Sequence, residues 1–158
     1  MEQDRKGFIL PYEEAPIVNG PKEGNTNVEF HAFLRRATDP SGGGKEHSMH
    51  TRLDVYVIQP GGSVEEHYHE PPIIDHISYV IAGRVRVTVG DTEKIVGANT
   101  LIYCPSNVKH SVTNISKTIA KIMTIDTSNE GEKSGILVYS KMPTGGDIEG
   151  KTWKVANK

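Results

Sequence analysis

The chain has 158 residues, 35% hydrophobic and 24% charged, with a net charge of −2. That length suits one domain with a core of its own, the composition excludes wholesale disorder, and the charge gives no global reason to bind nucleic acid or an anionic membrane. One cysteine, Cys104, excludes an intrachain disulfide and a thiolate metal cluster.

No run approaches the roughly 18 apolar residues of a membrane span. The opening MEQDRKGFIL carries two acids and no signal-peptide core, so the expected compartment is the cytoplasm. Sixteen glycines and nine prolines favour many short strands over a helical bundle.

In chain order, Pro11, Pro16, Gly20, Pro21 and Gly24 break the first fifty residues. Val28–Arg36 reads as a strand, its β-branched and aromatic start outweighing a helical turn. Ser41–Lys45 is a glycine-rich loop. From Thr51 the pattern is regular. Arg52–Gln59 is a strand that Pro60-Gly61-Gly62 is expected to end. Ile73–Ile81, Val85–Val89, Glu93–Val96, Thr100–Cys104, Ser111–Asn114, Thr118–Asp126 and Gly135–Ser140 follow, separated by Gly, Asn and Pro. Such spacing predicts an all-β sandwich or small barrel. Residues 1–50 read as an N-terminal arm with irregular and edge-strand segments, 51–126 as the barrel core, and 127–158 as a C-terminal strand and tail. The arm is apolar at Phe8-Ile9-Leu10 and Phe30–Leu34. It is expected to cover a sheet edge, its own or that of a second copy in a homodimer.

Seven histidines lie at 31, 47, 50, 67, 69, 76 and 110. His67 and His69 are two apart on an extended segment, so their side chains share a face. His76 opens the next strand, and His110 lies on a later one. Four imidazoles converging inside a barrel would hold one divalent transition metal: Fe, Mn, Ni, Cu or Zn. An isolated H-x-H is more often a surface or hydrogen-bonded core pair; four histidines in one spaced pattern favour the metal.

The pattern resembles the cupin superfamily, as a small single-domain member with an all-histidine variant of the metal motif. Gly61, five residues, His67-Tyr68-His69 and the closing Gly83 match the first motif, G-x5-H-x-H-x3-4-E-x6-G. Counting back six residues from Gly83 reaches His76, where the family has glutamate. The second motif, G-x5-P-x-G-x2-H-x3-N, maps onto Asn99, Pro105, Asn107, His110 and Asn114. Both of its glycines are asparagines here, and asparagine is the other residue that tolerates positive φ. The resemblance covers about Thr51–Asp126 and implies a small double-stranded β-helix, or jelly-roll, barrel.

It also agrees with the spacing on His67, His69 and His110 as ligands. For the fourth position His76 is favoured. Asp75 is the alternative, since a one-residue slip of register would exchange the two. Glu70 is a weaker candidate, alternating away from His67 and His69. Four neutral ligands would leave the full +2 charge on the metal, and a closed zinc tetrahedron would be structural. Tyr56, Arg52 and Ser78 are candidate substrate-binding residues, although packing or solvation is the commoner role for each. Glu65 could orient an imidazole N–H. Leu53, Val55 and Val57 read as the core face of their strand, and Cys104 as a buried small hydrophobe.

The resemblance implies a metal-dependent enzyme acting on a small oxygen-bearing substrate. Its reaction would be that of a dioxygenase or a non-redox lyase, isomerase or cyclase. The competing class is a small-molecule-binding or sensing barrel without turnover. A metal-free sugar-nucleotide isomerase or epimerase is disfavoured by the intact histidine set.

Overall fold

The computed structural model describes residues 9–18, 25–36, 47–48, 50–71 and 73–128. Among these, one 3-10 turn (Tyr12–Glu14) is joined by ten strands: β1 (Ile17–Val18), β2 (Asn25–Arg36), β3 (His47–Ser48), β4 (Thr51–His67), β5 (Ile73–Ala82), β6 (Arg84–Val89), β7 (Thr92–Gly97), β8 (Thr100–Pro105), β9 (His110–Asn114) and β10 (Ala120–Ser128). No described helix is long and apolar enough to cross a membrane. The expected strand at Gly135–Ser140 lies outside the described residues.

The strands run in the order β7-β6-β9-β4-β10-β5-β8. They curl into a nearly closed jelly-roll barrel in which every pair along this order is antiparallel. β2 lies along β4, from Asn25 opposite Val64 to Leu34 opposite Leu53. The N-terminal segment therefore covers an edge of its own chain's β4.

β4 corrects one expectation. Pro60-Gly61-Gly62 bends the strand without ending it. Thr51–Ile58 pairs with β10, while Ser63, Val64 and His67 pair with β9, so a single strand serves both halves of the barrel. Gly61 takes φ +73°. A Cβ at Gly62 would lie 2.7 and 2.8 Å from the carbonyl oxygens of Thr26 and Asn27, so glycine lets β2 approach the bend. Asn99 and Asn107 stand at φ 64° and 63°, the left-handed turns expected where asparagine replaces glycine.

The faces of β4 are the second correction. The barrel core comprises Phe30, Tyr56, Ile58, Val64, Val80, Val85, Val87, Ala120 and Ile122, so the Tyr56/Ile58 face is the interior one. Arg52 and Asp54 share it by alternation. Val55 and Val57 point outward yet are buried. Tyr12 stacks on His31 of β2, 4.5 Å between centroids, and lies beneath Lys121 of β10, 4.4 Å from its ring. It thus spans the outer face of the strand between them.

Candidate metal centre

The antiparallel register sets the interior in rows. Arg52, Asp126 and His76 are cross-strand neighbours on β4, β10 and β5; Asp54, Thr124 and Ser78 form the next row; Tyr56, Ile122 and Val80 the third. One end of the interior is therefore polar and the other apolar. His67 faces His110 across the β4–β9 ladder, and His69 follows directly after β4. The two halves of the barrel bring all four sequence-identified histidines together. Ring centroids lie 4.3 Å apart for His67–His110, 4.7 Å for His76–His110, 4.9 Å for His69–His76, 5.0 Å for His67–His69 and 5.1 Å for His69–His110.

Their hydrogen bonds fix which ring nitrogens point inward. A carbonyl or carboxylate can only accept. His67 therefore donates Nδ1–H to the Glu65 carbonyl at 2.7 Å, His110 to the Val108 carbonyl at 3.0 Å, and His76 to Asp126 Oδ1 at 2.5 Å. Each Nε2 is left with its lone pair. The Ser78 hydroxyl meets His76 Nε2 at 3.1 Å. His110 Nε2 is buried and has no hydrogen-bond partner among the described residues. Ligand atoms of His67, His69 and His110 lie within 4.8 Å of one another, as do those of His69, His76 and Asp126. His69 joins the two groups.

Burial favours the neutral form of the His67, His69 and His110 rings. It lowers His67 to about 4. It lowers His110 to about 3, with neighbouring His67 adding to the effect. It also holds His69 well below the usual imidazole range. Burial by itself would raise the Asp126 carboxyl. The hydrogen bond from His76, together with His69 and the Arg52 guanidinium, outweighs it and holds Asp126 well below the usual carboxylate range. Arg52 Nε lies 2.6 Å from Asp54 Oδ2 and Nη1 3.8 Å from Asp126 Oδ2.

The other candidates fall as follows. Asp75 points away from His76 and accepts from the Tyr103 hydroxyl at 2.7 Å and Thr127 Oγ1 at 3.1 Å. Glu70 is half-buried and accepts from the Tyr68 hydroxyl at 3.4 Å. At Glu65 the backbone carbonyl, and not the carboxylate, orients the imidazole. Tyr56 and Ser78 line a cavity beside His67, His76 and His110, together with Cys104, Thr124 and an apolar belt from Val64, Val87, Ile102 and Ile122. Burial raises the Tyr56 phenol, which hydrogen-bonds Thr124. Arg52 is turned to its two carboxylates. Cys104 is buried, its thiol pushed up to about 11 by burial, as suits a packed small hydrophobe. Sequence reasoning missed Asp126 as part of the site. The available signal was Thr124 and Asp126 continuing the alternation begun by apolar Ala120 and Ile122.

A family model described as a cupin domain matches residues 54–126. Comparison with curated proteins finds no match. Among solved structures, the chain is similar to a polyketide cyclase, RemF, from Streptomyces resistomycificus (TM-score 0.63, 16% identity, 79% of this chain and 82% of that one). It is similar to a predicted oxalate decarboxylase from Thermotoga maritima (TM-score 0.64, 18% identity, 77% and 99%). It also resembles KdgF from Halomonas sp. (TM-score 0.61, 12% identity, 79% and 96%). At such identities the likeness is one of fold.

Proposed function

The chain belongs to the cupin superfamily, and from that premise we propose that it is a metal-dependent enzyme acting on a small oxygen-bearing substrate. His67, His69, His76 and His110 would hold one divalent transition ion. The observation that carries this reading is the set of outward hydrogen bonds. Three rings each give Nδ1–H to an acceptor, so their Nε2 atoms keep lone pairs, the His76 one met by the Ser78 hydroxyl, and the buried His110 Nε2 has no hydrogen-bond partner among the described residues. Water would otherwise satisfy such an atom; a neutral imidazole lone pair also suits a metal.

When bound, the ion would supply Lewis acidity, and iron or manganese could add redox chemistry. The chain's own groups do the rest. The Tyr56 phenol, kept protonated by burial, and the Ser78 hydroxyl face the cavity and can hydrogen-bond a substrate oxygen. The apolar belt accepts the body of the substrate and excludes water. The fold is shared with a polyketide cyclase and a predicted oxalate decarboxylase. The shared fold does not choose between a non-redox reaction and an oxygen-dependent one, since function resides in the site and not in the barrel.

The test is the metal content of protein purified without added metal, measured by mass spectrometry for the wild type, His67→Ala and His110→Ala. About one ion per chain in the wild type and a sharp loss in both variants supports the proposal; oxygen uptake with candidate enols then separates redox from non-redox chemistry. No ion in the wild type, even after incubation with each metal, overturns it in favour of a metal-free binding barrel.

A further inference from the structure

We propose that Asp126 is the positioning residue of this centre, fixing His76 with Nε2 inward and lending that ligand the negative charge that four neutral imidazoles lack. The inference rests on the reading that His76 is a ligand. Its own basis is the placement of Asp126. The residue stands directly opposite His76 in the β10–β5 ladder and opposite Arg52 in the β10–β4 ladder. Backbone register, and not a flexible side chain, brings the carboxylate to the ring. Asp126 is 2% exposed and His76 5%, so water does not screen the 2.5 Å contact.

Arg52 could neutralise Asp126, but its Nε is 2.6 Å from Asp54, and the closest guanidinium contact to Asp126 is 3.8 Å. The guanidinium is thus shared between two buried carboxylates, and its tighter contact is to Asp54. His67 and His110, by contrast, give their Nδ1–H groups to neutral backbone carbonyls. His76 is therefore the most strongly donating of these three ligands. An ion held here would sense the Asp126 carboxylate through the His76 ring. A carboxylate behind a ligating imidazole fixes its tautomer and raises its basicity. This revises the argument that an all-histidine set leaves the full +2 charge uncompensated.

The experiment uses the full chain stripped by chelator and titrated with Zn(II) or Co(II) against a chromophoric competitor. Asp126→Asn keeps the shape and an acceptor oxygen but removes the charge. Its affinity should fall roughly 10–100-fold, and its Co(II) absorption bands should shift. Asp75→Asn removes a carboxylate one residue from His76 on the opposite face, where it accepts from Tyr103 and Thr127 and not from Arg52, and should leave both readouts near wild type. Far-UV circular dichroism of the metal-free variants confirms that each is folded at the titration temperature. Wild-type affinity in Asp126→Asn overturns the inference, and so do equal losses in the two variants, which would make the effect a general field. If Asp126→Asn does not fold, histidine ring-nitrogen NMR of the Zn(II)-loaded wild type decides. His76 protonated at Nδ1 and bound through Nε2 supports the proposal; Nδ1 without its proton overturns it. Failure of the wild type to bind any ion is a different outcome, because it removes the metal reading itself.

Discussion

Replacing Arg52 with methionine should cost the fold about 3–5 kcal/mol, the range for removing one partner of a buried ion pair. The stem keeps its packing, so the loss isolates the guanidinium. The pair is not of the screened surface kind, worth about 0–1 kcal/mol: the side chains of Arg52, Asp54 and Asp126 are only 12%, 0% and 3% exposed. Without the cation, two buried carboxylates share one end of the barrel. For a chain of this size the expected fall in melting temperature is roughly 10–15 °C. Thermal and urea unfolding of the metal-free protein, followed by circular dichroism, measure it. The double variant Arg52→Met/Asp54→Asn should recover part of the loss, giving a favourable coupling energy in a double-mutant cycle. A single variant melting within about 2 °C of wild type, or a double variant that loses the full sum of the two singles, would refute the claim that this cation stabilises the polar end.

His76→Ala should strip the metal as His67→Ala and His110→Ala do, whereas Asp75→Ala should retain it, because Asp75 points to Tyr103 and Thr127; metal analysis of the four purified variants checks this. Gly83→Ala should destabilise by about 2–5 kcal/mol, combining positive-φ strain and overpacking, since φ is +90° and the new Cβ would meet Ala120 Cα and Cβ at 2.7 Å; urea midpoints measure it. Metal-free protein should lose stability as pH falls from about 6.5 to 4. In that window unfolded histidines bind protons that His67, at about 4, and His110, at about 3, refuse in the fold. Asp126 is shifted in the same direction but from the carboxylate range: its contribution is present above the unfolded carboxyl value and fades only below it. Urea midpoints at several pH values test the slope, which His67→Gln/His110→Gln should flatten; a midpoint constant from pH 7 to pH 5 would contradict the account.

The strands and turns were legible because glycine, asparagine and proline punctuate them, and because Asn99 and Asn107 occupy the left-handed positions their chemistry permits. The convergence of four histidines was legible from spacing, with the jelly roll supplying the second wall. The faces of β4 were not. A period-two pattern distinguishes inside from outside only when one side meets water. Here Val55 and Val57 on the outer side are buried as well, on the face where Tyr12 reaches from His31 to Lys121, while Arg52 and Asp54 enter the interior as an ion pair. Asp126 escaped notice because its partner, His76, is 50 residues away in sequence. The end of β4 was misplaced because a proline and two glycines in series usually stop a strand. In this chain they turn one through a corner.

That corner has a consequence for which lengths of the chain can vary. Upstream of Gln59, β4 is pinned by β2 and β10; downstream of Gly62, by β9. Deleting one residue between them would leave Arg52, Asp54 and Tyr56 in place and rotate His67 out of the barrel. A segment that reads as a loop is thus as intolerant of insertions and deletions as any core strand. Among the described residues, the stretch after His69 is not paired with a strand on either side; the amides of Asn107 and Ser106 hold its ends at the His69 and Ile74 carbonyls, and the Ile73 amide meets the Glu70 carbonyl. Length can drift there without disturbing either wall, so the six-residue spacer between His69 and His76 delivers His76 inward while departing from the family's usual count.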